Sequence, residues 1–248
     1  MKKSYILLAV LFAALLITSC QKPFIDEVSP VSVTTTARVK TYSENYTSSA
    51  GNYSITFNLN YDGSGRLLSM ISASSPGDKF LYQYSGNTIT LDLYNASILN
   101  IHEIFYLNPF SFIDSTFQYN DTKDTTTEKY FYNANKQLIK VLLYTYTTAS
   151  GAVPFNTTNY TYDANGNVTQ ESDIQGVKTY TYSALLNTLS LGFEYLPRAK
   201  NLVQTTTIVS GGSTITYNHT YVFDNAGRLT SEKMAGSDGD ILIKSYTY

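Results

Sequence analysis

The stretch Tyr160-Thr161-Tyr162-Asp163-Ala164-Asn165-Gly166-Asn167-Val168 decides how this chain folds. Residues two apart in a strand point to the same face, so Tyr160 and Tyr162 pack side by side. Asp163 then opens a turn by accepting bonds from its own backbone. Gly166 takes the positive φ that ends the turn, and Val168 restarts a return strand. The unit is a hairpin with a connection of four or five residues. Asp163 and Gly166 are structural turn residues in this reading.

The unit recurs. Tyr61-Asp62-Gly63-Ser64-Gly65-Arg66-Leu67 and Tyr221-Val222-Phe223-Asp224-Asn225-Ala226-Gly227-Arg228-Leu229 repeat it, giving Asp62, Gly65, Asp224 and Gly227 the same turn role. Tyr130-Phe131-Tyr132-Asn133-Ala134-Asn135-Lys136-Gln137-Leu138 is a weaker copy, and Lys136 in place of Gly predicts a looser turn or one of another type. Tyr82-Gln83-Tyr84-Ser85-Gly86-Asn87 is weaker still, and Phe117-Gln118-Tyr119-Asn120 is a faint match. Tyr180-Thr181-Tyr182 and Tyr246-Thr247-Tyr248 are half-units.

With the alternation of Ile55, Phe57, Leu59 and Tyr61, these copies predict an all-β fold. It is a long antiparallel meander of about 13 strands, forming a curved sheet or an incomplete barrel. Two segments, Ala96 to Phe112 and Ala184 to Asn201, lack alternation and are expected as short helices or irregular loops lying over the sheet.

Composition agrees. The 248 residues include 23 Tyr, 12 Phe, 32 Thr and no Trp, which suits a pleated, half-buried surface. The aromatic content is too high for disorder. A formal charge of −2 gives no basic face, so nucleic acid is excluded as a partner.

The start of the chain reads as an address. Met1-Lys2-Lys3 is basic, and the apolar run from Ile6 to Ile17 is too short to span a bilayer as a helix. Ile17-Thr18-Ser19-Cys20 resembles the bacterial lipobox, which implies cleavage before Cys20 and its acylation. Residues 1–19 are then a lipoprotein signal peptide, 20–32 the lipidated Cys20 and its tether, and 33–248 one β domain. Gln21 rather than Asp after Cys20 favours the outer membrane, with palmitate-type chains as the link. Cys20 is the sole cysteine, so no disulfide supports the fold.

From Ser54 to Tyr248 the repeated Tyr-Asp units resemble the YD-repeat proteins, including the Rhs and teneurin shells, and are most similar to a Tyr-Asp-repeat family of Bacteroidetes lipoproteins of unassigned activity. The resemblance implies antiparallel hairpins in a long curved sheet. Rhs shells also carry a self-cleavage centre and a toxin tip, and neither has a candidate segment here.

Catalytic signals are thin. No fingerprint for a zinc protease, a serine hydrolase or a nucleotide site occurs. His219 shares a face with Tyr217 and Tyr221 and reads as a packed strand histidine; His102 stands far from it in sequence. Asp238-Gly239-Asp240 and the group Asp121, Asp124 and Glu128 have the oxygens for calcium, but read as a hairpin turn and a solvated loop. No catalytic, metal or cofactor residue is therefore assigned. Asp114-Ser115-Thr116 and Asp124-Thr125-Thr126 resemble a short O-glycosylation sequon. The expected protein is a non-enzymatic, lipid-anchored binding or structural module of the cell envelope. Its partners are the membrane and a glycan or another envelope protein. The alternatives are an accessory carbohydrate-binding lipoprotein of an outer-membrane uptake system and, further off, a hydrolase with paired carboxylates.

Overall fold

Each Tyr-Asp unit bends the chain back on itself, and the hairpins join edge to edge until the last meets the first. The computed structural model describes residues 37–120, 125–147, 151–193 and 195–248. The expected signal peptide, Cys20 and tether, as well as Asp121 and Asp124, lie outside them. The strands are β1 (Thr41–Ser48), β2 (Gly51–Tyr61), β3 (Leu67–Ser72), β4 (Lys79–Ser85), β5 (Thr88–Asn95), β6 (Ile98–Leu107), β7 (Ile113–Asn120) and β8 (Thr125–Tyr132). They continue as β9 (Leu138–Thr147), β10 (Gly151–Tyr162), β11 (Val168–Asp173), β12 (Gly176–Leu186), β13 (Asn201–Ser210), β14 (Ser213–Phe223), β15 (Leu229–Gly236) and β16 (Ile241–Thr247). Every strand pairs antiparallel with its sequence neighbours, and β1 pairs with β16 from Thr41↔Thr247 to Thr47↔Ile241. The sheet is a closed barrel of sixteen strands rather than a curved sheet or incomplete barrel of about thirteen, so among the described residues no edge is left unpaired.

The turn chemistry is as the sequence dictates. Asp163 Oδ1 accepts the backbone N–H groups of Asn165 and Asn167 at 2.9 and 2.8 Å. The Gly166 N–H donates to the Asp163 carbonyl, and Gly166 has φ +84°. Asp62, Asn133 and Asp224 accept the same two amides in their own turns. In all of them the residue after the returning aliphatic is skipped by the ladder as a bulge. Lys136 adopts φ +62°, so its turn is the same as the others, not a looser one.

A fifth copy went unseen. Leu107-Asn108-Pro109-Phe110-Ser111-Phe112-Ile113 forms the identical turn, with Asn108 accepting from Phe110 and Phe112 and Ser111 at φ +62°. Neither expected insertion is helical. Ala96 to Phe112 is largely β6, whose alternation is hidden because outward Ile104 and Tyr106 are as apolar as inward Phe105. The faint copy at Phe117 and Tyr119 is not a repeat: both rings face outward and the strand turns at the opposite end.

The other segment, 187–200, is irregular and folds into the barrel mouth instead of over the sheet. Leu189 and Phe193 are buried in the core. The Gly192 and Tyr195 carbonyls accept the N–H groups of Leu67 and Ile113 at 3.1 and 2.9 Å. Gly192 is required: it has φ +78°, and a Cβ there would lie 2.8 Å from the Gly65 carbonyl oxygen.

Tyrosine hydroxyls lock this same end. Tyr61, Tyr84, Tyr132, Tyr162, Tyr182, Tyr221 and Tyr248 each donate to a backbone carbonyl near the start of the preceding strand, at 2.6–2.9 Å. Where the repeat carries Phe223, which has no hydroxyl, Tyr221 makes the bond to Val203. The outside differs from the inside. From β11 around to β2 the outward positions are dominated by Thr, Ser and Asn, with hydroxyl pairs such as Thr181–Thr205 at 2.6 Å and Thr41–Thr247 at 2.7 Å. From β6 to β9 they carry Tyr106, Phe117, Phe131 and Tyr146.

Replacing Tyr162 with Phe removes one donor to a partly buried carbonyl and should cost about 1 kcal/mol in urea unfolding. Tyr146→Phe, on the outer wall, should change stability by less than about 0.5 kcal/mol. Equal losses would show that the inward hydroxyls lock nothing.

Candidate functional site: a polar chamber in the barrel

The lumen has two halves. Against β16 and β1 to β6 it is packed solid with Tyr42, Phe57, Phe80, Tyr82, Ile89 and Phe105, into which Phe193 inserts at 4.9 Å from the Tyr82 ring centre. The inward face from β6 to β15 instead surrounds a chamber of about 280 Å³, small but within the reach of small-ligand sites. Segment 187–200 closes it at one end with Leu189, Phe193 and Leu196.

The chamber wall is built of the repeat tyrosines and glutamates. Inward positions alternate along each strand, so the residue two before a locking Tyr also faces the chamber. Tyr130, Tyr160 and Tyr180 stand at such positions, and His219 does so before Tyr221. Tyr130 donates to Glu128, and Tyr180 to Glu171 at 3.1 Å. Lys178 also bonds Glu171, at 2.9 Å. His219 is engaged through both ring nitrogens, to Glu232 at 2.9 Å and Thr206 at 3.0 Å, and Lys244 lies 3.7 Å from Glu232.

These partners sort the carboxylates into two classes. Burial raises the Glu232 carboxyl, but the Lys244 charge and the His219 bond outweigh it and hold the group at about 2. Glu103 and Glu128 have no lysine, arginine or histidine within ion-pair distance among the described residues. Burial, together with the charge of Glu128, pushes Glu103 up to about 8, with the Thr116 hydroxyl opposing. Burial raises Glu128 too, against the Tyr130 bond. No described residue bonds the Tyr160 hydroxyl, which faces the same space.

Of the residues singled out in the sequence, Asp62, Gly65, Asp163, Gly166, Asp224 and Gly227 sit in the turns at the locked end. His219 is inside among tyrosines, whereas His102 is on the outer wall, paired with Asp92 at 2.6 Å and stacked on Tyr119. Asp238 and Asp240 belong to the β15–β16 turn, where Asp240 accepts the Tyr46 hydroxyl. Glu128, read as part of a solvated loop, lies on β8 facing the chamber. Thr116 of the sequon is buried, leaving Ser115 as its accessible hydroxyl. Glu103 and Glu171 were missed; the one available signal was a carboxylate in phase with inward aromatics, such as Glu103 two residues before Phe105.

Comparisons with known proteins agree on the architecture. The RHS Repeat family matches residues 132–178, which contain the Asp163 turn. Among solved structures, a porin-like protein from Bacteroides uniformis superimposes with a TM-score of 0.60 over 84% of this chain and 96% of that one, at 14% identity. That likeness is one of fold. No curated protein matches the sequence.

The raised carboxyls set a pH dependence. Between the ordinary value of 4.5 and about 8 the folded Glu103 holds a proton that the unfolded chain has released. Stability should therefore fall as pH rises through that window. Glu103→Gln should flatten the slope and raise the melting temperature at pH 9, with little change at pH 4. An unchanged slope would mean that Glu103 is solvated. Glu232 acts in the opposite sense, its stabilisation being lost as pH falls from 4.5 toward about 2.

Proposed function

We propose that the protein is a lipid-anchored, non-enzymatic binding module of the outer membrane that holds a small ligand inside its barrel. The observation that carries this reading is the chamber: a partly enclosed space with convergent hydroxyls and carboxylates on the barrel wall. A purely structural barrel gains nothing from leaving buried glutamates without counter-charges. The fold likeness to a porin-like protein and the lipobox-like Ile17-Thr18-Ser19-Cys20 support an envelope setting.

The Thr, Ser and Asn face from β11 to β2 argues for a barrel held beside the bilayer, because a lipid-spanning barrel turns an apolar band outward all round. Cys20 then supplies the membrane attachment. A second reading, a carbohydrate-binding accessory of an uptake system, is favoured by the pairing of flat Tyr rings with carboxylates, since a sugar offers both a stacking face and hydroxyl donors.

Two experiments test this. Palmitate should label the protein and Cys20→Ala should remove both the label and membrane association; label surviving the change would overturn the anchor. Native mass spectrometry of the protein extracted from its own envelope should show a bound small molecule, lost in Thr158→Trp, which fills the chamber. Equal occupancy in that variant would place the ligand elsewhere.

A further inference from the structure

Five glutamates that line the barrel fall into two groups. Glu171 has Lys178, Glu232 has His219 and Lys244, and Glu44 has Lys244 acting on it. Glu103 on β6 and Glu128 on β8 face the same chamber across β7 and have only the hydroxyls of Thr116 and Tyr130. The tyrosines beside them are Tyr130 and Tyr160, and the Tyr160 hydroxyl has no protein partner among the described residues. Two neighbouring carboxylates, uncompensated in a low-dielectric space beside the Tyr130 and Tyr160 side chains, form a negative pole to which a cation is drawn.

We propose that the chamber selects small ligands that bear an ammonium group, with the charge seated between Glu103 and Glu128 against the rings of Tyr130 and Tyr160. This rests on the chamber being the binding site and names the class of ligand it takes. A bare metal ion fits poorly. Calcium needs six to eight oxygens, and no group of three or more metal-ligating residues exists among the described residues. A chamber of about 280 Å³ also has room for a body attached to the charge, such as a phenyl ring or a single amino sugar.

The ligand's charge replaces a proton. Near neutral pH the carboxyl pair holds a proton on Glu103, so binding an ammonium ion releases about one proton to solvent. The other charged or titratable groups on the chamber wall are Glu171, Tyr162, Tyr180, Tyr182, His219, Tyr221, Glu232 and, from segment 187–200, Tyr195 and Arg198. Glu171, His219 and Glu232 already have partners within the wall, and Arg198 bonds Asn187 at 3.0 Å.

The test is calorimetric titration of the folded protein, residues 20–248 with Cys20→Ser, using tyramine and glucosamine beside their neutral counterparts 4-ethylphenol and N-acetylglucosamine. At least one amine should bind at pH 7.5, where both carry ammonium charge, more tightly than its neutral counterpart by about tenfold or more. The same amine should bind more weakly at pH 6, and its heat at pH 7 should vary with the ionisation enthalpy of the buffer, the mark of proton release. Glu103→Gln with Glu128→Gln, which keeps shape while removing charge, should abolish the preference and the buffer effect.

If neither amine binds, or amine and neutral compound bind equally, or the double variant keeps its preference, the ammonium proposal is overturned. Binding of the neutral compounds that is lost in Thr158→Trp would leave the chamber standing as a site while removing the charge requirement. Amine binding unaffected by Thr158→Trp would remove both.

Discussion

A hydroxyl donating to a carbonyl one strand back is the bond on which this barrel depends. Each such bond joins the end of one strand to the start of the strand before it, next to the turns, as in Tyr162 to Leu138 and Tyr182 to Val168. It acts at the barrel end that carries the Asp turns and segment 187–200. The bond also explains the choice of residue. Phenylalanine would fill the same space without closing it, and tryptophan's donor sits on a different outline. The excess of Tyr without Trp is thus a matter of reach and of a terminal O–H.

The bond fixes the orientation of everything else. With the locking ring held inward, its i−2 partner must also face inward, and the residue between must face out. Thr181 lies outward between Tyr180 and Tyr182, pairing with Thr205, and the Thr content becomes the outer counterpart of the Tyr content. From β11 around to β2 this order, polar residues outside and rings inside, is the reverse of that in a barrel dissolved in lipid, whereas β6 to β9 carry rings outside as well. The carboxylates within are the exception to this division, and their burial is offset by Lys178, His219 and Lys244 on one side of the chamber and left open on the other.

The fold was legible where local chemistry decides it. Asp163, Gly166 and their equivalents announced turns because an acceptor two residues before a vacant amide works without tertiary help. Legibility failed where two residue types do one job. Asn108 with Ser111 makes the Asp163 turn without a Tyr before it or a Gly within it, so a hairpin disappeared from the count. It failed again at Phe117 and Tyr119, since spacing alone does not tell which face a strand turns inward. The chamber was least legible of all. Glu103 and Glu128 come together only through the registers of β6, β7 and β8, a long-range fact with no local trace.

Segment 187–200 occupies the place where another Asp turn would stand, and it is tied to β3 and β7 by the Gly192 and Tyr195 carbonyls. The remaining locks each span only two adjacent strands. Apart from that tie, the barrel is assembled like a cask, stave by stave, each tyrosine fastening reaching only the neighbouring stave. A lineage could add or drop a pair of staves and keep every other fastening intact, so the girth of the cask, and with it the room inside, is a quantity that duplication can tune in whole hairpins.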